Sequence, residues 1–152
     1  MKNNIKKIKS TQYLDRYDIV SIDIPYGIEE IECCAFYNCP NLQHITIPDT
    51  VKTIGFSAFR FCTNLDNIVI PDSVTFIGHD AFDNTKWYRD NNDYFVILSD
   101  KYLIKYRGKS ENAIIPNSVK YISPYAFDRC KHLKTIAIPN GIMVIESFAF
   151  IG

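Results

Sequence analysis

Five cysteines, three histidines and one short acidic run are the residues of this 152-residue sequence whose types can carry chemistry. Cysteine can act as a nucleophile, half of a disulfide or a zinc ligand, and zinc sites bring their ligands in closely spaced pairs such as C-x-x-C. Here Cys33 and Cys34 are adjacent, which seldom bridge each other, and Cys39, Cys62 and Cys130 are far apart, so neither a disulfide framework nor a zinc site is expected. His44, His79 and His132 are equally scattered. The run Asp90-Asn91-Asn92-Asp93 offers oxygen ligands, but it lacks the glycine and distal glutamate of a calcium loop and reads as a solvated turn. No G-x-S-x-G, H-E-x-x-H, Walker or G-x-G-x-x-G pattern is present, so the usual routes to nucleophilic, zinc and phosphate chemistry are missing. The expectation is a protein that is not an enzyme and uses no cofactor and no metal.

The elements that would hold any of these side chains belong to a repeat. Pro25, Pro48 and Pro71 fall 23 residues apart, as do Pro116 and Pro139, each preceded by isoleucine: Ile24, Ile47, Ile70, Ile115 and Ile138. An Ala-Phe pair follows each proline, ending at Phe36, Phe59, Phe82, Phe127 and Phe150. The five copies read I-x-I-P-x-x-V-x-x-I-x-x-x-A-F-x-x-C-x-x-L-x-x. A fixed period of this length marks a solenoid, in which each unit is too small to bury its apolar side alone and stacks on its neighbours. The I-x-I segment alternates as a half-buried strand should, and proline ends it by withholding an N–H. Turn residues such as Asp49-Thr50, Asp72-Ser73 and Asn140-Gly141 follow. The V-x-x-I pair then turns inward again, the small alanine suits a short helical turn, and the phenylalanines form an interior ladder at roughly 4.8 Å per repeat. Cys39, Cys62 and Cys130 share one repeat position, where a small buried apolar side chain is expected, and Thr85 replaces it in the third copy. The fold class is therefore a repeat solenoid of α/β leucine-rich-repeat type, with a parallel sheet of short strands on one face and short helical turns and second short strands elsewhere.

Two stretches depart from the pattern. Pro71 and Pro116 are separated by more than one period, which places an insertion at about 86–112. Tyr94–Leu98 and Tyr102–Tyr106 flank Ser99-Asp100-Lys101 and read as a β-hairpin; a sixth, degenerate coil is the alternative. Residues 1–21 read as an N-terminal cap in which Ile5, Ile8 and Gln12 suggest a short amphipathic turn, and 22–152 as the solenoid of five repeats. The last copy breaks off at Phe150-Ile151-Gly152, an edge open to pairing with another chain.

The string "IPDTVKTIGFSAFRFCTNLDNIVIPDSVTFIGHDAF" resembles the BspA-like class of leucine-rich repeats, over about Ile22 to Gly152, and "WYRDNNDYFVILSDKYLIKYRGKSENAIIP" resembles a segment often interleaved with such repeats. The resemblance implies a right-handed solenoid and, for many members, surface proteins of bacteria and some protists that engage host or matrix proteins. It points to the cell surface or a secreted location. Against that, Met1–Tyr13 has no apolar run of the length a secretory signal needs, so the chain as written is expected to remain where it is made, in the cytoplasm.

The exposed positions carry the functional expectation. Seventeen basic residues balance seventeen acidic ones, so nucleic acid is not an expected partner, and no stretch is apolar enough for membrane insertion. The middle residue of each I-x-I strand faces away from the core, which lines up Asp23, Thr46, Val69, Ile114 and Ala137, flanked by His44, Asn67 and Thr135, as a binding stripe or as an ordinary exposed sheet. Trp87 and Tyr88, with the insertion's tyrosines, form a second candidate, since aromatics concentrate at binding hot spots; the alternative is that they pack the hairpin onto the solenoid. The function expected is a non-enzymatic protein-binding module engaged in adhesion or host interaction. The alternative is a structural protein that self-associates through its C-terminal edge.

Overall fold

The computed structural model describes residues 6–151. The expectations placed on Ile5 and Gly152 lie outside the described residues. Two compact units divide the chain between Asn91 and Asn92. The first contains β1 (Lys7–Ile8), β2 (Ser21–Asp23), β3 (Glu30–Ile31), β4 (His44–Thr46), β5 (Thr53–Ile54), β6 (Phe76–Ile77) and α1 (Lys86–Asp90). The second contains β7 (Phe95–Leu98), β8 (Tyr102–Tyr106), β9 (Asn112–Ile114), β10 (Tyr121–Ile122), β11 (Thr135–Ala137) and β12 (Val144–Ile145).

Each unit is a stack of solenoid coils whose strands pair in parallel at the repeat spacing. In the first unit β2 pairs β4, with Asp23 beside Thr46, and β1, β3, β5 and β6 form a second sheet with Ile8, Ile31, Ile54 and Ile77 in one row. In the second unit β9 pairs β11, while β8, β10 and β12 repeat the second sheet. The I-x-I and V-x-x-I segments thus become the two strands of a coil, their isoleucines pointing into the core of their own unit, with Val51 and Val74 in the first and Val119 in the second; Ile138 and Ile145 of the last described coil are exposed. The third I-x-I copy keeps only a bridge from Asn67 to His44.

The Ala-Phe segment is built from turns, where a short helical turn was expected. Two residues of each coil take left-handed backbone: Cys34 and Asn38, Ser57 and Phe61, Asp80 and Asn84, Tyr125 and Arg129. This alternation sends every second N–H to the next coil and closes a turn with the one between. Cys34, Phe36 and Asn38 donate to the carbonyls of Phe56, Ala58 and Arg60, while Ala35 and Tyr37 donate back to Glu32 and Cys34. A third ladder of inter-coil hydrogen bonds results, which a helix would have used up within the coil. Among the described residues α1 is the one helix, capped by Thr85, whose hydroxyl accepts from Tyr88 N at 3.2 Å.

The aromatic ladder forms within each unit. Tyr13, Phe36, Phe59 and Phe82 stack with centroids 4.8, 5.1 and 5.4 Å apart and planes within 7° of parallel. Trp87 closes that column edge-on against Phe82 at 6.2 Å. In the second unit Tyr106, Phe127 and Phe150 continue the same motif at 5.3 and 4.9 Å.

Two departures from the sequence pattern are explained by these ladders. The first twenty residues, expected to lack the repeat, already contain a coil: Lys7 and Ile8 pair with Glu30 and Ile31, and Tyr13 occupies the phenylalanine position. Tyrosine stacks as phenylalanine does, and the coil was hidden because it has no Ile-Pro. The insertion is a hairpin, β7 antiparallel to β8, and β8 simultaneously pairs with β10 in the register of a coil, Leu103 beside Ile122. Both readings of that segment therefore describe the same residues.

Candidate functional site

The outward face of the first-strand sheet in the first unit carries Asp23 and Thr46 side by side, with Ser21 beside His44 and Asn67 bridged to His44. Strand pleating forces these directions: Ile22, Ile45 and Ile68 turn to the core and their neighbours turn out. Val69 is 67% exposed, a β-branched side chain held in water by strand register. It borders a shallow cleft of about 250 Å³ lined by Ile45, Thr46, Ile47, Val69 and Pro71. A second cleft of about 330 Å³ is lined by Gln43, His44, Asn64, Asp66 and Lys86. The face is thus apolar around Val69 and polar around His44.

Lys86 and Asp66 were not singled out from the sequence. The α1 helix carries Lys86 to Asp66, with Asp90 3.6 Å away, and the bond to Asp66 holds the ammonium's pKa above its ordinary value. No sequence signal marked this pair, because the two belong to different coils and meet only through stacking.

In the second unit the equivalent face holds Asn112 beside Thr135 and Ile114 beside Ala137. Ile114 is 75% exposed, and the hydroxyl of Thr135 donates to Asn112 Oδ1. The sequence-derived stripe therefore exists as two sets, Asp23, His44, Thr46, Asn67 and Val69 in one unit and Ile114, Thr135 and Ala137 in the other.

The aromatic candidates are mostly spent on packing. Trp87 and Tyr88 are half-buried in the first unit, where Trp87 N donates to Leu65 O. In the second unit Tyr102 and Tyr106 are buried, Tyr102 against Tyr121 at 4.9 Å. Tyr94 is the exception at 73% exposed, and it lines a cleft of about 390 Å³ with Arg107, Lys109 and Ser110.

Of the residues considered first for chemistry, Cys39 and Cys62 are held in structural positions, while Cys33 is exposed. Cys39 and Cys62 are buried, and their sulfurs donate to the carbonyls of Tyr13 and Phe36 in the preceding coil. The neighbouring Cys39 sulfur, and then burial, push the Cys62 thiol well above its ordinary range. Thr85, in the same column, is fully buried and donates to Phe82 O at 2.8 Å. All five cysteines are free thiols. Among the described residues no three His, Cys, Asp or Glu side chains gather as a metal site, and no helix is long and apolar enough to cross a membrane.

The comparisons with known proteins follow the architecture. The family profile of the BspA type leucine-rich repeat region matches residues 1–91 and 100–152, in six copies. No curated protein sequence matches the chain. Among solved structures, a leucine-rich repeat protein from Bacteroides ovatus is 27% identical with a TM-score of 0.55, covering 90% of this chain and 30% of its own. A leucine-rich cell surface protein from Faecalibacterium prausnitzii is 30% identical, TM-score 0.50, covering 97% of this chain and 34% of its own. The leucine-rich repeat protein of T. pallidum is 26% identical, TM-score 0.51, over 79% of this chain and 59% of its own. The chain thus spans about a third of the first two proteins.

Proposed function

Because the chain belongs to the BspA-type leucine-rich-repeat family, we propose that it is a protein-binding module working at a cell surface, in adhesion or host interaction, with no catalysis of its own. Repeat solenoids present extended faces assembled from equivalent positions of successive coils, and such proteins are generally binding modules. The observation that carries the reading is the first-strand face of each unit: Val69 in one and Ile114 in the other are apolar, β-branched and largely exposed, the first amid polar Asp23, His44, Thr46 and Asn67, the second beside Ala137 and polar Thr135. Apolar anchors set among polar neighbours are what a protein interface uses. The cell surface enters through the Faecalibacterium prausnitzii protein, which is described as a cell surface protein.

The test is the double variant Thr46→Glu and Val69→Glu, assayed by solid-phase binding to a panel of host surface and matrix proteins. Binding by the parent chain and its loss in a variant with unchanged circular dichroism and melting temperature supports the reading. Binding that persists in the variant removes this face from it.

A further inference from the structure

The inserted hairpin of the second unit holds one aromatic side chain that coil stacking does not account for. Tyr106 is buried, with its ring 4.9 Å from Phe95 and 5.3 Å from Phe127. Tyr94, by contrast, is 73% exposed. Strands β7 and β8 place Phe95 opposite Tyr106, and Arg107 N donates to Tyr94 O at 2.7 Å, so the ladder runs one pair further. Residues paired across neighbouring strands share a face. Tyr94 and Arg107 accordingly stand together, and both line a cleft of about 390 Å³ whose other walls are Tyr106, Gly108, Lys109 and Ser110.

The segment that carries the cations is fixed in place. A Cβ at Gly108 would collide with the ring and hydroxyl of Tyr106, so glycine alone lets the chain lie this close to the aromatic ring. Gly108 O accepts from His132 Nε2 at 2.9 Å, which ties the same segment to a later coil of the unit. Arg107 and Lys109, on either side of Gly108, are thereby held at one wall of the cleft. Among the described residues no acid lines it: Asp93 is exposed outside it, and Glu111 pairs with Lys134 at 2.8 Å. A ligand meets a wall that is already ordered, which lowers the entropy lost on binding.

We propose that this cleft binds an acidic saccharide, a sugar unit bearing sulfate or carboxylate groups. The face of an aromatic ring is electron-rich, and the C–H face of a sugar ring is its complement, so Tyr94 supplies the stacking surface. Arg107 and Lys109 meet the anionic substituents at the rim of the same sugar, and the Ser110 hydroxyl can bond to its own hydroxyls. The cleft volume lies in the range of small-ligand sites. An acidic peptide fits less well, because its side chains have no apolar recess to enter between Tyr94 and the cations. A nucleic-acid strand is held by a succession of aromatic platforms, and here one exposed ring stands alone.

The probe is a fluorescein-labelled chondroitin sulfate hexasaccharide, titrated by anisotropy against the 152-residue protein. Saturable binding is expected, weakened roughly tenfold by Tyr94→Ala and by Lys109→Glu. Both side chains are exposed, so circular dichroism should not change. Arg129→Glu, which removes an 88% exposed cation outside the cleft, should have little effect. The desulfated hexasaccharide separates the two anions: binding lost with the sulfates assigns them, and binding retained assigns the carboxylates. Absence of saturable binding overturns the proposal. So does an unaffected Tyr94→Ala, or a loss in Arg129→Glu equal to that in Lys109→Glu, because attraction would then be diffuse. Equal displacement of the probe by an oligoaspartate peptide or by oligothymidylate removes the saccharide as the ligand class. Thr46 and Val69 are unchanged in every variant, so failure here leaves the protein-binding reading to its own test.

Discussion

Gly55 and Ser57 lie two residues apart in one coil, and their side chains are the reverse of what their backbone angles favour. Ser57 has a φ of 53°, in the left-handed region that costs a residue with a Cβ about 1–2 kcal/mol. Replacing it with glycine removes that cost and adds about 0.5–1 kcal/mol of unfolded-chain entropy, for a net gain of about 0.5–1 kcal/mol. Gly55 lies outside the left-handed region, where a glycine-to-alanine change ordinarily stabilises by about 0.4–1 kcal/mol. Here the added Cβ would sit 2.5 Å from Cys33 N and 2.7 Å from Glu32 C, both backbone atoms of the coil beneath. Neither can rotate aside, so the coils must separate, at the upper end of overpacking costs, about 3 kcal/mol. For a chain of this size that lowers the melting temperature by about 6–12 °C. Urea titration of Ser57→Gly, Gly55→Ala and the parent measures both signs. A stabilised or neutral Gly55→Ala would refute the claim that coil-to-coil contact, rather than local propensity, dictates glycine here.

Phe59 is fully buried between two stacked rings, whereas Tyr13 is half-buried with one ring beside it, so Phe59→Ala should cost about 3–5 kcal/mol and Tyr13→Ala about 1–2 kcal/mol in urea unfolding. Equal losses would mean that the ladder is not what makes the difference. The Arg16 guanidinium grips both oxygens of Asp18 and holds its carboxyl down to about 2. Its small contribution to stability is present above the unfolded value of 3.8 and is lost as pH falls towards 2. An NMR titration of Asp18 should show that low midpoint, and Arg16→Ala should return it towards 3.8.

The solenoid was legible because its inner columns repeat one residue type at one spacing. Pro25, Pro48 and Pro71 end strands for a reason that does not depend on neighbours, and Phe36, Phe59 and Phe82 fill one column. The first coil was hidden because identity, not chemistry, made the pattern visible: Tyr13 stacks on Phe36 as well as phenylalanine does. The left-handed positions were hidden more deeply. Cys34, Ser57, Asp80 and Tyr125 share no residue type, and none is the glycine that flags such a backbone in sequence. The inter-coil hydrogen bonds impose that geometry, and they exist only once coils stack. The Asp66–Lys86 pair escaped for the same reason, being a product of register and not of spacing along the chain.

The outward positions obey a different rule, with consequences for how any partner is held. Each coil contributes about two exposed residues to the first-strand face, and neighbouring coils place theirs roughly 4.8 Å apart. Asp23 beside Thr46, and Ile114 beside Ala137, show that equivalent positions need not match in size or charge. The core does not constrain them, so they are free to differ from coil to coil. A partner lying along such a face gathers several modest contacts from successive coils. Val69 is the apolar anchor of that face, and the polar side chains around it each contribute less. Thr46→Glu alone should therefore weaken binding less than Thr46→Glu with Val69→Glu. Because the two side chains border one cleft, their effects should couple and exceed the sum of the single losses.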